Sequence, residues 1–119
     1  MKSLLLGLAA VLATTVAASA QDVGGRYRVA GQNPNGGSSY SGTAEIVVTS
    51  QNTCRIVWRT GSSSSRGICM RNGTSFAASY VLGKDVGLVI YEIQPDRSMR
   101  GIWTVADQTG VGGEILTPQ

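Results

Sequence analysis

The chain has 119 residues, is 42% apolar and 14% charged, and contains two cysteines and no histidine. The lack of histidine removes Ser–His and Cys–His nucleophiles and the commonest zinc ligand together. A formal charge of +3, carried mostly by scattered arginines rather than a basic run, is too small for a nucleic-acid footprint.

The first twenty residues read as an export signal. Met1-Lys2 supplies a positive start, Leu4 to Ala17 is apolar apart from small Gly and Thr, and Ala18-Ser19-Ala20 meets the small-residue requirement for cleavage. The apolar run is shorter than the roughly 20 residues of a membrane span, and no second run follows. Gln21, and not a cysteine, stands immediately after the cleavage point, which argues against a lipid anchor. We therefore expect residues 1–20 to be a signal peptide and 21–119 a single exported domain, periplasmic or secreted, with no membrane span in the mature chain. Loss of Lys2 lowers its charge to +2.

From Gln21 onward no stretch has the spacing of an amphipathic helix. Short runs rich in Val, Ile, Tyr, Thr and Trp alternate with Gly, Asn, Ser and Asp clusters, which is the punctuation of strands and turns. Strands are predicted over Arg26–Gly31, Tyr40–Thr49, Thr53–Thr60, Arg66–Arg71, Ser75–Leu82, Val86–Ile93, Met99–Val105 and Gly113–Thr117. Turns separate them at Asn33-Pro34-Asn35-Gly36-Gly37, Ser50-Gln51-Asn52, Gly61 to Ser65, Asn72-Gly73, Gly83-Lys84-Asp85, Pro95-Asp96 and Asp107 to Gly110. Asn72-Gly73 is the strongest hairpin signal, as the central pair of a type I′ turn. Connections this short favour antiparallel neighbours, because parallel crossovers need a dozen or more residues. The expected fold is all-β: a small antiparallel up-and-down barrel of about eight strands, with a two-sheet β-sandwich as the alternative.

Cys54 and Cys69 are expected to form a disulfide, since an exported chain with an even cysteine count has one intramolecular pairing open to it. If they face each other across a hairpin, Trp58 lies opposite Ser65 and the turn falls at Gly61-Ser62. Cys54, Ile56 and Trp58 then share one face, and Arg55, Val57 and Arg59 the other. On the partner strand the alternation is less clean, because Ile68 and Met70 fall on the arginine side. Either a bulge at Gly67 resets the parity, or the pair lies outside the core; the sequence leaves the facing open.

Little in the chain points to catalysis. A carboxylate pair such as Glu45 with Glu92 or Glu114 is the remaining option, but each is more simply a solvated strand residue or a partner for an arginine. We expect a non-enzymatic protein without metal or cofactor. Gly83-Lys84-Asp85 and Gly110-Val111-Gly112-Gly113 lack the context of phosphate loops and read as turns. Arginines interleaved with Tyr27, Trp58 and Trp103 resemble a single-strand platform, which export and low charge make the poorer reading; no nucleic-acid partner is expected. Gly25-Arg26-Tyr27, Tyr40-Ser41-Gly42 and Gly101-Ile102-Trp103 each place glycine close to a large ring. Core filling and barrel closure is the plainer account. The sharper one is an open end lined by Tyr and Trp that accepts a ligand.

The order Gly25-Arg26-Tyr27-Arg28-Val29, Asn33-Pro34-Asn35-Gly36 and Tyr40-Ser41-Gly42-Thr43-Ala44-Glu45-Ile46 resembles short exported bacterial proteins sometimes labelled fibronectin-binding-like. The resemblance continues through Val57-Trp58, Val89-Ile90-Tyr91, Gly101-Ile102-Trp103 and Gly113-Glu114-Ile115-Leu116-Thr117-Pro118. It implies a β-meander domain outside the cytoplasm and carries no binding residues with it; the Cys54–Cys69 pair departs from its pattern. A looser likeness links the chain to calycin-type binders and periplasmic inhibitors.

The expected function is accordingly a non-catalytic binding module for a protein or a surface or matrix partner. One alternative is an inhibitor of a protease or lysozyme acting through a protruding loop at Gly61–Arg66 or Asn33–Ser39. Another is a barrel holding a small apolar ligand. The candidate binding residues are Tyr27, Tyr40, Trp58, Tyr91, Trp103, Arg59 and Arg66.

Overall fold

The structure is a computed structural model and describes residues 22–119. The signal-peptide reading of residues 1–20 lies outside the described residues. Eight strands follow one another as β1 (Gly25–Gln32), β2 (Ser39–Val48), β3 (Thr53–Thr60), β4 (Ser63–Asn72), β5 (Ser75–Leu82), β6 (Asp85–Ile93), β7 (Met99–Val105) and β8 (Gly112–Pro118). Each pairs antiparallel with the next, and β8 returns to β1, closing an up-and-down barrel. Closure gives every strand two partners, so no strand edge is left open.

Period-two alternation decides which residues face inward. Tyr27 and Val29 of β1, Ala44 and Ile46 of β2, Ile56 of β3, Phe76 and Ala78 of β5, Met99 of β7 and Leu116 of β8 are all buried. They fill the half of the barrel that carries the β2–β3, β4–β5 and β6–β7 connections. There the Tyr27 hydroxyl donates to the Val23 carbonyl at 2.6 Å and helps close that end.

Cys54 and Cys69 are bonded and stand directly opposite in the β3–β4 ladder, as do Trp58 and Ser65. The disulfide fits an oxidising environment outside the cytoplasm. Both cysteines are buried, so the Cys54, Ile56 and Trp58 face points inward. No bulge interrupts β4: the register runs unbroken through Ile56 opposite Gly67. Ile68 and Met70 are 71% and 58% exposed, so the irregular pattern belongs to an apolar outer wall rather than to a shifted strand. Gly67 has a different task. A Cβ there would strike the Ser79 carbonyl, so glycine lets β4 and β5 approach closely.

Two turn assignments are corrected. Ser63, Ser64 and Ser65, assigned to a turn on composition, belong to β4, and the loop is only Gly61-Ser62, where the Cys54–Cys69 register placed it. The next hairpin turns on Gly73-Thr74 rather than Asn72-Gly73, since β4 runs to Asn72. Gly61, Gly73 and Gly83 have positive φ while the residues after them do not, which matches the II′ pattern rather than I′.

Candidate functional site

The opposite end, carrying the β1–β2, β3–β4, β5–β6 and β7–β8 turns, is not filled. It holds a cavity of about 280 Å³. Tyr40, Trp58, Tyr80, Tyr91 and Trp103 line it with Val89, Val105 and Glu114, and Asn33, Thr60, Gly61, Ser63, Ser65 and Leu82 complete the wall. Five aromatic rings from five strands thus face one space.

Small residues on neighbouring strands make room for these rings. Tyr40 pairs with Gly31, Tyr80 with Gly87, Tyr91 with Gly101 and Trp103 with Gly112. At each of these glycines a Cβ would overlap the paired ring. Trp58 lies between Ala44 and Ser65. The glycines that matter are therefore cross-strand partners, and the same-strand pairs noted in the sequence are not the relevant ones. The rings also brace each other: Trp58 meets Tyr80 edge-on at 5.2 Å between centroids, and Tyr40 meets Trp103 at 6.1 Å.

At the centre lies Glu114, only 8% exposed. Its β1 and β7 partners are Gly31 and Gly101, the two glycines that seat Tyr40 and Tyr91. The Tyr40 hydroxyl donates to Oε1 at 2.9 Å, Trp58 Nε1 donates to Oε2 at 3.2 Å, and the Tyr91 hydroxyl also donates to Oε2. Burial pushes the Glu114 carboxyl above its ordinary range, and the three donors pull it back in part. Burial, then the nearby Glu114 charge, pushes the Tyr40 and Tyr91 hydroxyls well up; the same causes bring Tyr80 to about 12. These phenols keep their protons, so Tyr40 and Tyr91 act as donors to Glu114 throughout the acid and neutral range.

The predicted binding residues divide into three groups. Tyr40, Trp58, Tyr91 and Trp103 come together at the cavity. Tyr27 is a core residue at the closed end, and Arg59 and Arg66 are exposed on the outer face of β3 and β4. Among the carboxylates, Glu45 meets Arg26 at 3.6 Å and Glu92 accepts the Thr74 hydroxyl, both exposed as expected. Glu114 is not solvated, contrary to expectation. The period-two step Gly112, Glu114, Leu116 was the signal for its inward position. Tyr80 was also missed, although Phe76, Ala78 and Tyr80 carry the same signal.

No protein-family model matches the chain, and no curated protein matches its sequence. Solved structures do share its fold. A redesigned β-barrel superposes with a TM-score of 0.70 at 14% identity, covering 82% of this chain and 91% of that one. A de novo designed fluorescence-activating β-barrel gives 0.64 at 14% identity, covering 81% and 93%.

Proposed function

We propose that this protein is an exported, non-catalytic barrel that binds a small, largely apolar ligand in its open end. The carrying observation is the aromatic cavity itself: about 280 Å³, open at a turn-bearing end, with polar groups converging on one side. A protein that merely needed a core would gain stability by filling this space. The designed barrel described as fluorescence-activating lends support only through the shared fold. Export through a signal peptide over residues 1–20, to the periplasm or beyond the cell, completes the reading. The test is titration with N-phenyl-1-naphthylamine, a neutral dye that brightens in apolar surroundings. Saturable binding that is lost in Ser65→Phe, a change that fills the cavity, is expected; no brightening in the folded protein would reject the reading.

A second reading, a protein or surface partner as in the fibronectin-binding-like proteins, is favoured by the outer wall. Ile68, Met70, Leu88, Ile90 and Ile102 of β4, β6 and β7 are each more than half exposed. Apolar exposure of this kind often marks an interaction face. The loop that an inhibitor would use at Gly61–Arg66 is reduced to a two-residue turn. Retention of an envelope or matrix protein on the immobilised barrel, lost in Ile90→Lys, would support this second role; retention unchanged by Ile90→Lys would count against this wall.

A further inference from the structure

We infer that the cavity's ligand is an organic cation, an ammonium group carried on an apolar body. This rests on the ligand-binding reading above and narrows it.

The first observation is the fate of the donor hydrogens. Each aromatic polar hydrogen on the wall is already used: Tyr40, Trp58 and Tyr91 donate to Glu114, Tyr80 to the Thr104 carbonyl at 3.1 Å, and Trp103 to the Gly113 carbonyl at 3.3 Å. What the rings leave for a ligand is π-faces and acceptor lone pairs. An anion or a carbonyl-rich ligand would find no aromatic N–H or O–H free to receive it; the hydroxyls of Thr60 and Ser63 flank the β3–β4 turn at the mouth, which leaves Ser65, opposite Trp58, as the one hydroxyl at the level of the rings.

The second observation is charge. Glu114 accepts only neutral donors, and the cavity lining contains no Arg or Lys. Three of roughly four carboxylate lone-pair positions are occupied, and the negative charge has no cationic partner among the described residues. The groups facing Glu114 are Tyr40 of β2, Trp58 of β3, Tyr80 of β5 and Tyr91 of β6, while its β1 and β7 partners are Gly31 and Gly101. A cation entering the cavity meets electron-rich faces of Trp and Tyr and an uncompensated carboxylate at the same time. The two attractions reinforce one another beside the buried Glu114 carboxylate, where the surroundings are less polar than water.

The experiment is competition against bound N-phenyl-1-naphthylamine with two probes of one shape. One is benzyltrimethylammonium; the other is neopentylbenzene, in which carbon replaces the charged nitrogen. At about pH 8 the cation is expected to bind about tenfold more tightly than its neutral twin. That advantage should shrink toward parity at about pH 4, where the carboxyl takes up its proton, while the neutral probe holds steady. Glu114→Gln should abolish the advantage at every pH, read as the cation-to-neutral ratio within that variant. Should Glu114→Gln not fold, the pH dependence of the wild-type cation-to-neutral ratio decides alone. Equal binding of the two probes, or a ratio independent of pH, overturns the cation inference while leaving a ligand-binding barrel standing. Failure of the dye to bind removes both.

Discussion

The Tyr91 hydroxyl donates to Oε2 of Glu114 across the barrel interior, tying β6 to β8 over the intervening β7. With the donations from Tyr40 on β2 and Trp58 on β3, it makes one side chain the junction of four strands. This junction separates the packed half of the barrel from the open one.

Removing the junction leaves its donors without an acceptor. Glu114→Ala should cost about 2–3 kcal/mol, since buried unsatisfied donors carry their full desolvation penalty. A urea unfolding midpoint within error of wild type would show that the network contributes nothing.

The raised pKa of Glu114 has a definite sign. Because the folded state favours the protonated carboxyl, the stabilisation is complete below the ordinary value of 4.5 and is lost as pH rises through the raised value. The stability of wild type relative to Glu114→Gln should therefore fall as pH increases from that point. Urea midpoints of both proteins across the acid to neutral range provide the check, and a constant difference would refute it.

Glycines under the rings should be intolerant of even one methyl group. Gly31→Ala and Gly101→Ala drive a Cβ into the Tyr40 and Tyr91 rings, at a cost of about 1–3 kcal/mol. Both should weaken dye binding. Gly113→Ala, with nothing near its added Cβ, should stay within about 0.5 kcal/mol of wild type. Equal effects at all three positions would mean that ring seating is not what these glycines do.

The disulfide spans 15 residues of sequence, and the chain-entropy estimate for such a loop is about 3 kcal/mol. Replacing Cys54 and Cys69 by Ser together should lower thermal stability accordingly. The ladder register and the Gly61 turn do not depend on the sulfur bond, so dye affinity should survive. A simultaneous loss of dye binding in a folded double variant would show that the bond shapes the cavity as well.

Much of the architecture was readable along the chain. Glycine-led turns and β-branched runs marked all eight strands, and β3, β5 and β7 begin and end where expected. Composition alone extended the Gly61 turn through Ser65 for a physical reason: Ser63 and Ser65 face the cavity and Ser64 faces solvent, so the start of β4 is polar on both sides and looks, in sequence, like a loop tip. The puzzle of Ile68 and Met70 has a related one. Alternation reports burial only when the outer face is polar, and here it is not.

Local chemistry alone determined that this chain makes a disulfide-bonded meander of short antiparallel strands, because turn geometry and period-two alternation act over a few residues. Which aromatics share a cavity was decided by closure of β8 onto β1 and by the ladder register. These place Gly31 and Gly101 beside Glu114, and so aim Tyr40 and Tyr91 at its carboxylate from strands far apart in sequence. Tyr27 carries the same residue type and the same alternation, yet lies at the closed end. Nothing local distinguishes it; only its height along the barrel does.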